Sequence, residues 1–375
     1  MQLRNIEKIN GFVISLIFTL ILVIPPDISY KVFPVYDVLI LFLILFNSLY
    51  NKNIAYDFWG VVLACFFVLF SVAGILFVDN LSLAALKLYK GMKICIFIFF
   101  LSRLRIGFIY SNYIFKFLLF YVGLTFFMVI SQKLGYFQTL SKIYSVFVHY
   151  DSVSLRPYGF TGNPTHLGFV FLCFMVFFDR INLSKWKHIS FLIILFSGNK
   201  MSILLGVLIY CFSMISWASG KRYKWIYFKL FFLVSICMVY TFYILFLEKP
   251  LQQAGLEWHT ISARIFSFQF LLQQAFDSSF YFIFLGSPTR TNWPVNFDVQ
   301  YVLMLLDLGV VLTLLVLVQI KRAFYVAGYK FYSFGVIFLS GFTIVGVYHS
   351  FYYFIMVFLV IMPKEYFDNY KRSYC

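Results

Sequence analysis

Along this chain apolar residues neither alternate with polar ones nor recur every three or four positions. They run almost unbroken for roughly 15–20 residues, stop at a short polar or basic stretch, and resume. Uninterrupted runs of that length predict helices that are apolar on all sides, because a half-buried strand would alternate with period two. The runs place spans over 11–26, 35–50, 58–78, 83–101, 112–132, 164–178, 189–197, 201–218, 225–247, 297–319, 331–347 and 350–362. A span needs roughly 20 apolar residues, although helices enclosed in a bundle can be shorter, and 189–197 is the shortest of the set. Backbone surrounded by lipid must satisfy its own hydrogen bonds, so the spans are helices or a closed barrel, and continuous runs select helices. The predicted fold class is all-α, a polytopic helical bundle of about twelve transmembrane helices forming one domain over 1–375.

Composition agrees with the pattern. The 375 residues are 62% hydrophobic, 23% aromatic and 12% charged, with mean hydropathy +0.89. A soluble domain carries about a quarter charged residues. G-F-V-I-S-L-I-F-T-L-I-L-V-I-P-P follows Arg4 and Lys8 like a signal peptide, but no small-residue cleavage site follows it, so it reads as a first span. The net charge of +16 does not indicate nucleic acid, because Lys and Arg gather at alternate ends of the spans. With the amino terminus in the cytoplasm, R-L-R at Arg103 and Arg105, D-R-I-N-L-S-K-W-K, K-R-Y-K, Lys321–Arg322 and Lys371–Arg372 all fall inside. Both termini are then cytoplasmic. Lys87, Lys90 and Lys93 line one helix side, where lysines can snorkel to phosphate or water. Cys65, Cys95, Cys173, Cys211, Cys237 and Cys375 form no CxxC pair, and those in apolar runs read as core filling rather than disulfide or zinc sites.

Two outer segments exceed ordinary connecting length, about 133–163 and about 248–296. The second contains I-S-A-R-I-F-S-F-Q-F-L-L-Q-Q-A-F, an amphipathic surface helix near 261–276. The first contains R-P-Y-G-F-T-G-N-P-T-H-L-G, in which Asn163 suits a helix N-cap and Pro164 the first helical position. Gly159 and Gly162 allow a tight approach to that start, and Arg156 supplies a bidentate donor beside it. A helix amino terminus with its free N–H groups and partial positive charge, next to an arginine, suits a phosphate or diphosphate. The construction recurs in S-G-N-K-M-S, with Asn199 and Lys200, and in R-T-N-W-P-V-N, with Arg290, Asn292 and Pro294. Arg264 lies on the surface helix between them. The competing explanation is three ordinary capped turns with solvated cations.

The histidines, His149, His166, His188, His259 and His349, share no ligand spacing, so no metal is expected. His166 sits one turn into its helix and reads as a structural group or a substrate contact; His188, beside Lys187, reads as a boundary residue, and His349 as part of an outer turn. Tyr158, Trp258 and Trp293 suit stacking on sugar rings, and equally suit the aromatic belt of a membrane interface.

The order of these motifs resembles the Wzy-type O-antigen polymerases and the related O-antigen ligases, GT-C-like integral membrane glycosyltransferases. The residues that carry the resemblance are Arg156, Gly159, Asn163, Pro164 and Gly168; then Ser197, Gly198 and Lys200; then Asn296 leading into V-L-M-L-L-D-L-G and Gly309. It spans nearly the whole chain, although each motif alone is degenerate. The sequence departs in having Lys200 where an arginine is common, and Asn296 and Asp298 but no histidine after the large loop, which favours polymerase over ligase. The resemblance implies transfer of a growing glycan from undecaprenyl diphosphate to the next lipid-linked repeat unit. The reaction would take place at the periplasmic face of the bacterial inner membrane, without metal or nucleotide-sugar cofactor. Arg156, Arg264, Arg290 and Lys200 would stabilise the departing diphosphate, and Asp298, Glu257, His259 and His166 are the unranked candidates for a base. Implied partners are membrane lipid, a chain-length regulator and a flippase. A lipid-linked oligosaccharide flippase or other carrier is the competing class, but carriers usually have related halves and broken or charged midplane helices. Here the halves look unalike and the distinctive cations collect at the outer face. A non-catalytic export scaffold is the third reading.

Overall fold

The computed structural model describes residues 2–23, 38–39, 42–43, 46, 108–135, 157, 159–161, 164–219, 269–277, 283–284, 286, 300–329 and 331–340. Expected spans over 58–78, 83–101, 225–247 and 350–362, and the lysine stripe, lie outside the described residues. The described residues are helical, with no strand among them. The principal elements are α1 (Gln2–Val23), α2 (Phe108–Lys133), a 3-10 turn (Gly159–Thr161), α3 (Pro164–Arg180), α4 (Ser184–Ser197), α5 (Lys200–Ser219), α6 (Gln300–Val326) and α7 (Phe331–Ser340). Among the described residues, two stretches are long and apolar enough to cross a membrane, Tyr110–Lys133 and Leu308–Tyr325. Hydroxyls inside the helices bond back along their own backbone: Ser15 to the Gly11 carbonyl at 2.6 Å, Thr19 to Ser15 at 2.8 Å and Thr125 to Tyr121 at 2.8 Å. Such back-bonding satisfies a polar group where water is absent.

The centre is α3, in which every residue from Leu167 to Arg180 is buried. Its neighbours are aromatic. Tyr121 of α2 stacks on Phe171 at 6.3 Å and meets Phe174 edge-on at 6.3 Å, and each such pair contributes about 0.5–1.5 kcal/mol beyond its area. The α3–α4 reversal is short because Asn182 adopts φ 56: its N–H bonds the Asp179 carbonyl and the Leu183 N–H bonds Phe178, an asparagine-centred Schellman turn. Gly328, with φ 76, closes α6 in the same way through Tyr329 N–H to Phe324.

Contacts fix the direction of each helix. Gly168 of α3 meets Ser202 of α5, and Asp179 meets Ser213, both pairs 34 residues apart, so α3 and α5 run parallel in constant register. Between them α4 runs antiparallel, its Phe191 ring lying 2.8 Å from where a Cβ on Gly206 would stand. The end of α6 comes to the end of α3, where the Arg180 guanidinium covers the Tyr329 ring at 4.6 Å. Hence α3 and α5 begin at one end of the bundle, called here the Pro164 end, and α6 finishes at the other.

Several boundaries differ from the hydropathy pattern. The 189–197 run is the apolar part of α4, which starts at Ser184 and takes K-W-K into its first turns. Its 14 residues reach only about 21 Å at 1.5 Å per residue. Lys321 and Arg322 lie within the last turns of α6 rather than in a connecting segment. Cys173 is buried as expected, whereas Cys211 is exposed rather than core-filling. Of the surface helix near 261–276, residues 269–277 are described and helical, seated through Leu271 on Val302 and Leu306 of α6.

Candidate functional site at the Pro164 end

The approach to α3 is held tightly. Pro157 is buried, and the Gly159 N–H donates to Gln132 Oε1 of α2 at 3.1 Å. A Cβ on Gly159 would stand 3.0 Å from both Leu167 and Thr125, so this glycine lets the chain pass between α2 and α3. Pro164 then opens α3 at the position where its missing N–H matters least.

The neighbouring start, α5, carries its own cap. Asn199 Oδ1 accepts the Ser202 N–H at 2.9 Å, and the Asn199 N–H donates to Ser197 Oγ at 3.3 Å. Gly198, with φ 65, ends α4 and turns the chain directly into that cap. Lys200, the first residue of α5, is exposed. The two starts touch: a Cβ on Gly168 would come 2.8 Å from Ser202 Oγ and 3.0 Å from the Asn199 Cβ. Two parallel helix amino termini therefore open side by side, with His166 half-buried in the first turn of α3 and Lys200 on the rim. Their dipoles point the same way, and each adds roughly half a positive charge at its start. Chemically this is a surface for an anion, with one ammonium beside it.

The structure thus brings Gly159, His166, Gly168, Asn199 and Lys200 to one end. Arg156, Tyr158, Asn163, Arg264, Arg290, Trp293, Asn296 and Asp298 lie outside the described residues, as do Glu257 and His259.

A second polar cluster sits at the opposite end. Asp179, in the last turn of α3, accepts Lys187 Nζ at 3.1 Å, Ser213 Oγ at 2.9 Å and the Tyr332 hydroxyl, so one carboxylate joins α3, α4, α5 and α7. Lys187 also donates to Ser213 Oγ at 3.2 Å and lies 5.0 Å from the Tyr210 ring centre. His188 stacks on the same Tyr210 ring at 5.4 Å, with Nδ1 against its hydroxyl. Burial pushes the Tyr329 phenol up to about 12, more than Arg180 beside it pulls it down. The sequence places D-R-I-N-L-S-K-W-K on the inner side between spans, and in the structure its Asp179 and Arg180 are buried. The available signal was the acid–base pair placed directly at the end of an apolar run.

Set against known proteins, the chain matches no protein family's model, no curated protein and no solved structure.

Proposed function

We propose that the chain is a polytopic inner-membrane glycosyltransferase of about twelve spans, with both termini cytoplasmic, that polymerises lipid-linked oligosaccharide repeat units. The observation that supports this most is the side-by-side opening of α3 and α5, capped by Asn199 and rimmed by Lys200. It is joined by the order of arginine-bearing motifs around it in the sequence. The donor is a growing glycan on undecaprenyl diphosphate. In the transfer, the bond from the anomeric carbon to the diphosphate oxygen breaks and a bond from that carbon to an acceptor hydroxyl forms. The hydroxyl proton passes to a base drawn from Asp298, Glu257, His259 and His166, and the electron pair leaves with the diphosphate. Negative charge grows on the leaving group, so preorganised donors there act most strongly in the transition state. Arg156, Arg264, Arg290 and Lys200 fill that role, with the amino termini of α3 and α5 as fixed dipoles.

The test is polysaccharide profiling in cells carrying Arg156→Ala, Arg264→Ala or Arg290→Ala, each with verified expression. Loss or shortening of the polymer ladder is expected; full-length ladders from all three would end the anion-site mechanism. A deletion strain separates the neighbouring activities. Single-repeat products indicate a polymerase, absence of any transferred polymer indicates a ligase, and failure to deliver lipid-linked units across the membrane indicates a carrier.

A further inference from the structure

The helices α4 and α5 form a hairpin whose register is fixed by contacts along its length. A Cβ on Gly206 would stand 2.8 Å from the Phe191 ring, and Tyr210 meets Phe191 edge-on at 5.0 Å. Further along, Tyr210 stacks on His188 at 5.4 Å and Ser213 Oγ accepts Lys187 Nζ at 3.2 Å. This register brings the exposed residues of the two helices to matching levels. Leu195 stands level with Leu204, Leu192 with Val207 and His188 with Cys211, and all six are exposed. They make one continuous face.

The face is apolar through its middle and cationic at both ends. Lys200 closes it at the Pro164 end, and Lys185, level with Met214, closes it at the other. Both lysines are exposed, and neither has an ion-pair or hydrogen-bond partner among the described residues. Neither helix contains Asp or Glu, and the Asp179 carboxylate behind Lys187 is buried and held by its three donors.

The depth of Lys185 decides what can lie against this face. Lys200 and Met214 of α5 lie about 21 Å apart along the helix, whereas the hydrocarbon of a bilayer is roughly 30 Å thick. The 20 residues of α5 match that thickness, and the helix continues roughly 8 Å past the level of Lys185 to Ser219. The foot of α4 is therefore a step in the surface of the bundle, carrying an ammonium at a depth where lipid chains would otherwise pack. A charge there is costly unless a headgroup descends to it, and local thinning of the bilayer is the usual answer to such a mismatch. A zwitterionic headgroup brings an ammonium of its own with its phosphate. A headgroup whose only charge is the phosphate keeps the full attraction to Lys185.

We propose that the α4–α5 face binds an anionic phospholipid. Its phosphate sits on Lys185 beside His188, one turn further along the same side of α4, and its chains lie along Leu192, Leu195, Leu204 and Val207. The inference rests on the reading of the chain as a polytopic membrane protein and is independent of the glycan chemistry.

Cys211 supplies the probe, since it is exposed on the face at the level of His188. The full-length chain, its other cysteines replaced, carries bimane on Cys211 in phosphatidylcholine nanodiscs. These contain a small fraction of doxyl-labelled phosphatidylglycerol or, in parallel, of doxyl-labelled phosphatidylcholine. Bimane attached through Phe120→Cys with Cys211→Ser, at an exposed point midway along α2, reports unselective contact with lipid. At Cys211 the anionic lipid is expected to quench more strongly, to the extent of about fivefold local enrichment, the effect of one lysine near a headgroup layer. At position 120 the two lipids should quench equally. Lys185→Gln should bring the Cys211 ratio down to that of position 120, and Lys185→Arg should keep it. Equal quenching by the two lipids at Cys211 overturns the proposal, as does a preference that survives Lys185→Gln. Quenching at position 120 with none at Cys211 overturns it as well, because protein, from this chain or a second copy, then covers the face. Silence at both positions refutes the membrane reading and the proposal with it.

Discussion

Asp179 offers the sharpest perturbation in the molecule. The residue is 4% exposed and its partner Lys187 keeps 11% of its side-chain surface, so solvent screens the pair little. Asp179→Ala leaves the Lys187 ammonium without its counter-charge and withdraws the acceptor shared by Ser213 and Tyr332. Breaking a buried pair from one side costs about 3–5 kcal/mol, most of it from the charge left behind. The two orphaned hydroxyls overlap with that figure rather than adding to it. Removing both charges, as in Asp179→Ala with Lys187→Met, is therefore expected to recover about 2 kcal/mol or more of the single-variant loss. The measurement is a double-mutant cycle on detergent-solubilised protein, unfolded by denaturing detergent in mixed micelles and followed by tryptophan fluorescence. Additive effects, or a single-variant loss below about 1 kcal/mol, would refute the account of the cluster as a four-helix tie. Because the cluster lies at the end away from Pro164, folded variants should keep whatever activity the Pro164 end supports.

Gly168→Leu should force the first turns of α3 and α5 apart and lower stability, since even a Cβ there meets Ser202 Oγ at 2.8 Å; thermal unfolding reads it. Asn199→Ala removes the cap of α5 and is expected to cost about 1 kcal/mol, with Asn199→Ser or Asn199→Asp restoring most of it in the same assay. The Tyr329 phenol titrates near 12 in the folded chain against an ordinary value near 10. Folding therefore favours its neutral form: the stabilisation is present below pH about 10 and is lost as pH rises towards about 12. Tyr329→Phe should remove that part of the alkaline loss in a series of unfolding curves, and an unchanged pH profile would count against it. Lys200→Arg should keep or lengthen the polymer ladder and Lys200→Ala shorten it, because a guanidinium grips phosphate with two parallel bonds.

The helical character and the starts of α3 and α5 were legible because they depend on nearby residues: an unbroken apolar run, a proline at the first position, an asparagine before it. The cluster around Asp179 was not, since its acceptor finds donors 8, 34 and 153 residues away and no local pattern links them. The length of α4 was hidden for another reason. Hydropathy marks where apolar side chains stop, but a helix continues through lysines whose heads reach a partner, as Lys187 does in its first turns. The interruption at Gly309 is silent for a third reason. In the sequence Gly309 is only a motif residue within an apolar run, and its dihedral angles show that the run is two helices.

The tie at Asp179 also sets an order of events during synthesis. Its carboxylate meets Lys187 within eight residues, Ser213 within 34, and Tyr332 only after 153 more residues have been made. At about 5–20 residues per second, that last partner arrives roughly 8–30 s after the carboxylate itself. For that interval the nascent chain carries an incompletely bonded acid at the end of a helix that, once folded, is enclosed on every side. The four-helix tie is therefore complete only once α7 has been made and its Tyr332 hydroxyl has reached that carboxylate.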